Sequence, residues 1–150
     1  MTTLTIRQMA QRCGLSAHTL RYYEEIGLID PIHRTHSGHR CYGEADQRWI
    51  AFLLRLRGTG MSIQDMLAYA TLRRDGQQLD SVVRRQQMLQ QHVLTLENRL
   101  ATLQDNLSVM RDKVAFYAEL ACALQADVQP DSTGAAHDPL SLPTRLEPPA

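Results

Sequence analysis

Between Ser16 and Glu25 the chain reads Ser-Ala-His-Thr-Leu-Arg-Tyr-Tyr-Glu-Glu, which sets hydroxyls, an imidazole, a guanidinium and two phenols within ten residues. Such groups recognise nucleic acid better than they make or break bonds. Arg21 offers a fork of donors that matches a guanine edge or a phosphate, while Ser16, His18, Thr19, Tyr22 and Tyr23 can meet phosphate oxygens. A second set, Arg34, His39, Arg40 and Tyr42, follows in a polar loop. Arginines on such a loop can straddle the sugar-phosphate backbone or enter a minor groove. There is no glycine-rich phosphate loop, metal box or nucleophile–base pair. An enzyme is therefore not expected, nor a cofactor, nor a metal site.

Cys13, Cys41 and Cys122 are far apart and form no CxxC pattern, which argues against a secreted disulfide framework. The start, Met1-Thr2-Thr3-Leu4-Thr5, lacks a basic region followed by an apolar run, and no apolar stretch approaches the length of a membrane helix. A cytoplasmic protein with no membrane partner is expected.

The elements that must carry these residues are helical. Leu, Ala and Met supply most of the apolar content and aromatics only 5%, a mixture that suits helices. Thr5 caps a short helix with Ile6, Met9 and Ala10 on one face, ending at Gly14. After the turn Cys13-Gly14-Leu15-Ser16, Ser16 caps a second helix that runs to Gly27. This is the helix-turn-helix pattern, whose second helix enters the major groove by its N-terminal residues. Tyr22 and Tyr23 point about 100° apart on that helix, so the two cannot be equally buried. The polar loop reads as a small hairpin, or wing, turning at Ser37-Gly38. A third helix spans Glu44 to Arg57 and a fourth runs from Ile63 to about Arg74, capped by Ser62.

The net charge is zero, but it is unevenly spread. Residues 1–72 hold eight Arg against six acids, and residues from 127 onward hold one Arg against four. The N-terminal excess is modest and accords with DNA binding.

Beyond Asp75-Gly76 the apolar residues step by threes and fours. The seam runs through Val82, Leu89, Val93, Leu96, Leu100, Leu103, Leu107, Met110, Val114, Tyr117, Ala121 and Leu124. About six heptads without proline or glycine are a coiled-coil signal. A helix of roughly 70 Å cannot bury its own stripe in so small a chain, and its simplest partner is a second copy. Leu89, Val93, Leu96, Leu100, Leu103, Leu107, Met110 and Val114 are the expected dimerisation residues. The charges beside the seam leave parallel and antiparallel arrangements both open. From 127 to 150 Pro, Ser, Gly, Asp and Ala dominate, as in a disordered tail.

Three motifs together carry a family resemblance: Thr19-Leu20-Arg21-Tyr22-Tyr23-Glu24-Glu25-Ile26-Gly27-Leu28-Ile29, then Ser37-Gly38-His39-Arg40-Cys41-Tyr42, then Arg55-Leu56-Arg57-Gly58-Thr59-Gly60-Met61-Ser62-Ile63. In order and spacing the chain closely resembles the MerR family of bacterial regulators, over about residues 3 to 72. One departure is His39, where the family usually has Tyr or Phe. The resemblance implies a mainly α fold, with a winged helix-turn-helix over 1–74 and a dimerisation helix over 75–126 that forms an antiparallel coiled coil. It also implies a homodimer on a palindromic promoter. Such dimers bend and untwist an overlong spacer so that RNA polymerase can engage both promoter elements, a deformation of a few kcal/mol. The alternative is a coiled-coil scaffold or adaptor whose winged domain binds protein, and it leaves the clustering of Arg21, Tyr22, Tyr23 and Arg40 without a purpose.

The effector is the open end of this reading. Metal-sensing relatives carry cysteines near both ends of the long helix, whereas this chain has Asp75-Gly76-Gln77-Gln78 at the first place and no cysteine pair at the second. The segment Trp49-Ile50-Ala51-Phe52, with Tyr69-Ala70-Thr71-Leu72, is similar to an aldehyde- or electrophile-responsive subgroup. That subgroup senses through a third-helix cysteine, and Arg55 stands in its place here. Cys41 and Cys13 are the candidate thiol sensors, since Arg40 or Arg12 nearby would favour a reactive sulfur. The plainer reading of Cys13 and Cys122 is as small hydrophobes. A small molecule or an electrophile is the expected effector class.

Overall fold

A computed structural model describes residues 2–128. Strand β1 (Leu4–Thr5) leads into α1 (Ile6–Cys13) and α2 (Ala17–Glu25). Strand β2 (Cys41–Tyr42), α3 (Glu44–Gly58), α4 (Ile63–Arg74) and α5 (Leu79–Asp127) follow. The expected, mainly helical architecture is thus found. The two-residue strand β1, too short to show alternation, was not expected. It pairs antiparallel with β2, Leu4 opposite Tyr42 and Thr5 opposite Cys41.

The helix ends follow from local chemistry. Thr5 Oγ1 accepts from the Gln8 amide and Gln8 returns a bond to the Thr5 amide, a capping box that starts α1. Gly14, at φ 68°, supplies the left-handed residue that ends it. Ser16 Oγ caps α2 through the Thr19 amide at 3.0 Å, and the two hydroxyls are 2.8 Å apart. Ser62 caps α4 through Asp65.

The core joins all four short helices to the wing base. Leu20, Leu28, Tyr42 and Ile50 are fully buried, with Ile29 and Leu53 nearly so. Trp49 Nε1 donates to the Leu28 carbonyl at 3.0 Å and stacks on Tyr69, with centroids 6.0 Å apart. One side chain thereby ties α3 to both the end of α2 and α4. Asp30 accepts from Arg73 at 2.7 Å and from Arg74 at 2.6 Å, while Arg73 lies 4.4 Å from the Trp49 ring centre. Partial burial pushes the Asp30 carboxyl up, but the bonds and charges of Arg74 and Arg73 outweigh it and hold the group below 3.8.

The chain divides into two compact units after Leu103, inside α5. In the first, Met88 and Leu89 pack against the core. His92 Nε2 lies 2.7 Å from Thr59 Oγ1, and Arg99 donates to the Thr59 carbonyl at 3.1 Å. Since the Thr59 hydroxyl donates to the Arg55 carbonyl at 2.7 Å, it is left to accept from His92. Leu89, expected on the dimer seam, is therefore occupied by its own winged domain, because α5 uses its early apolar residues to seat itself. Leu96 is half-buried. Val93, Leu100, Leu103, Leu107, Met110 and Val114 are exposed, Leu100 by 56%. In the second unit α5 continues unbroken to Asp127. The expected tail beyond Val128 lies outside the described residues. Among those described, no helix is long and apolar enough to cross a membrane.

Candidate nucleic-acid interface

The turn between α1 and α2 and the cap at Ser16 fix how α2 presents its first residues. His18 and Arg21 are exposed and Thr19 half-buried. The neighbouring tyrosines separate as their helical spacing requires: Tyr22 is 46% exposed and Tyr23 only 5%. Tyr23 thus serves the core, its ring 5.9 Å below the Arg57 guanidinium.

The wing is a tight antiparallel hairpin. Cys41 donates to the His33 carbonyl, Thr35 to that of His39 and Gly38 to that of Thr35, each at 2.8 Å. Gly38 turns the chain at φ 84°, a conformation costly for a side chain with a Cβ. Arg34 reaches the Gly38 carbonyl at 3.0 Å, and His39 is exposed.

Two wing residues are not where sequence reasoning put them. Arg40, expected on a phosphate, lies 2.6 Å from Glu24 Oε2, with both side chains largely shielded. The other oxygen of Glu24 accepts from the Ile32 amide at 3.2 Å. Glu24 therefore clamps both ends of the wing segment to α2, and it was missed. An acid on the reading helix and an arginine in the wing, both without a nearer partner, were its signal. Tyr42, also expected on DNA, is fully buried, and its hydroxyl is the one buried side-chain polar atom without a partner among the described residues. Burial, then the Glu24 charge, push the phenol upward, so it remains neutral.

Between α2, the start of α1 and the wing lies a groove of about 430 Å³ lined by Arg7, Arg21, Arg34, His39 and Arg40, the last already paired with Glu24. Arg7, Arg21 and Arg34 form no salt bridge among the described residues. Arg7 was also missed, because one arginine on a short helix carries no pattern of its own. Three unneutralised guanidinium groups facing one groove make an anion-binding surface. The thiols are less suggestive. Cys13 is half-buried and donates to the Ala10 carbonyl at 3.7 Å, as a small hydrophobe with a weak donor does. Cys41 is half-buried in β2, and Cys122 is exposed on α5.

Residues 5–42 match the model of the MerR family regulatory proteins. An HTH-type transcriptional regulator of Bacillus subtilis, YyaN, is 32% identical over 130 residues, covering 78% of this chain and 92% of that one. The chain belongs to the MerR family. As a MerR-family chain it is a transcriptional regulator and not an enzyme. AdhR of Bacillus subtilis, also an HTH-type regulator, is 47% identical over 73 residues, and this match spans only about half of either protein, 49% of this chain and 52% of AdhR. A MerR-family structure from Listeria monocytogenes superposes with a TM-score of 0.74 at 36% identity, covering 83% of this chain and 93% of that one. HiNmlR, a MerR-family regulator lacking the sensor domain and solved bound to promoter DNA, gives 0.72 at 29%, covering 81% and 94%.

Proposed function

We propose that this regulator binds promoter DNA as a homodimer, with α2 in the major groove and the wing on the flanking backbone. The observation that carries this reading is the groove of unpaired arginines, Arg7, Arg21 and Arg34, between the reading helix and the wing. The similarity to HiNmlR, itself solved on promoter DNA, supports it. Arg21, Tyr22, His18, Arg34 and His39 are the proposed contacts, with Ser16 and Thr19 setting the first turn of α2. Arg40 and Glu24 hold the wing in register instead. The exposed seam from Leu100 to Leu124 supports pairing of two α5 helices, antiparallel as in the family. Two copies imply a palindromic site with paired half-sites. Bending and untwisting an overlong spacer, for RNA polymerase to engage, is the proposed route to activation.

Mobility shifts on the promoter at several salt concentrations test this. Arg21→Ala and Arg34→Ala each remove one DNA-facing charge per copy, two per dimer, and should lower the salt slope by about 1.8 if both contact phosphates. Arg40→Ala should weaken binding with a nearly unchanged slope, since its charge is already spent on Glu24. Wild-type slopes in both single variants would sink the proposed interface.

A further inference from the structure

A second groove of the winged domain, about 710 Å³ in volume, lies between α1 and α3 and shares no residue with the groove proposed to meet DNA. Met9, Ala51 and Leu54 give it an apolar floor. Arg12, Arg48 and Arg55 stand around it, and Glu44 is the one acid that lines it. Its size falls within the range of small-molecule sites, about 300–1,000 Å³.

The register of α3 makes this arrangement. Arg48, Ala51 and Arg55 are spaced by three and four residues, so they share one face of the helix. The two arginines flank Ala51 at about 4.5 Å and 6 Å along the axis, and its single methyl leaves the space between them open. Arg55 has no ion-pair partner among the described residues. Arg48 has only Glu44, at 4.0 Å and well exposed. Arg12 donates to the Gln47 amide oxygen at 3.0 Å, a neutral acceptor that leaves its charge uncompensated. Three cations and one acid around an apolar floor match a ligand with an anionic head and an apolar body. An inorganic anion or a phosphate backbone would leave the floor wet, and a neutral apolar molecule would leave the guanidinium groups unmatched.

We infer that this groove binds a small amphipathic carboxylate, and that molecules of this class are the regulator's effectors. The carboxylate sits over Ala51, held by the fork of Arg55 and drawn by Arg48, while the apolar body covers Leu54 and Met9. Occupancy bears on DNA reading through α1, the helix that lines this groove with Met9 and Arg12 and the DNA-facing groove with Arg7. The effector role rests on the DNA binding proposed above; the binding site itself does not.

Octanoate tests this on the whole chain by calorimetry. It should bind saturably and about tenfold tighter than 1-octanol, which lacks the charge, or acetate, which lacks the body. Arg55→Gln and Ala51→Leu should each weaken octanoate about tenfold, and Arg55→Lys should recover part of the first loss. Arg55→Gln should keep the wild-type melting temperature, since its side chain has no ion pair to lose. Octanoate should also slow modification of Cys13, which lines the groove, by N-ethylmaleimide and leave Cys122 unprotected. No saturable binding, equal affinity for 1-octanol, or octanoate binding that survives Arg55→Gln overturns the site. Mobility shifts separate the two readings. Octanoate should move the promoter affinity of the wild type about fivefold and leave that of Arg55→Gln unmoved. An unmoved wild-type affinity with octanoate bound overturns the effector role. Promoter binding absent with and without octanoate overturns the DNA reading and leaves the groove to be judged by calorimetry.

Discussion

Glu24 shows how one side chain can decide what a neighbouring motif does. With one oxygen on the Ile32 amide and the other on Arg40, it turns a wing arginine that looks like a DNA contact into a strut. In the interface proposed above, the DNA-facing charge falls to Arg7, Arg21 and Arg34, which line the groove beside α2. Tyr42 is another case of a polar residue absorbed by packing. Its hydroxyl is buried without a partner, and such a group costs about 1–3 kcal/mol when left unmade. Tyr42→Phe is accordingly expected to be neutral or to raise stability by about 1 kcal/mol. Chemical denaturation would show this, and a clear loss would mean that the hydroxyl has a partner in solution.

At the scale of elements, one joint ties the chain just after α2 to α4 and another seats α5 on the winged domain. The first is Asp30, which links the segment after α2 to the end of α4 through Arg73 and Arg74. Its carboxyl is held below the ordinary value, so the joint is fully present above pH 3.8 and lost as the pH falls through the lowered folded value. Asp30→Asn should flatten the acid limb of the thermal-stability profile. The effect should be small, because Asp30 is 37% exposed; identical acid limbs would remove the joint. The second is Gly60, at φ 91°, where an added Cβ would lie 2.5 Å from an Arg99 nitrogen. Gly60→Ala combines backbone strain with displacement of the arginine that seats α5, and should cost about 1–3 kcal/mol. Unchanged melting of this variant would show that the α5 seat is loose.

For the whole molecule, the long helix has two faces of use in the proposed dimer. Met88, Leu89, His92 and Arg99 seat it on its own winged domain, while the apolar seam from Leu100 onward is exposed and is the surface proposed to pair. Leu100→Asp would place a charge at the start of that free seam. Dimer and promoter binding are expected to be lost together, by sedimentation and mobility shift. A dimer that survives the substitution would refute the seam.

Much of this molecule is written locally. Caps at Thr5, Ser16 and Ser62, glycine at the α1 stop and the wing turn, and heptad spacing along α5 each act within a few residues, so the chain alone determined the helices, the wing and the exposed stripe. The burial of Tyr23 rather than Tyr22, the pairing of Arg40 with Glu24, the role of Arg7 and the seating of Leu89 were decided by tertiary structure. Each depends on which partner the fold brings within a few ångströms from far along the chain. Sequence spacing gives a side chain its direction on its own helix; only packing determines what it meets there.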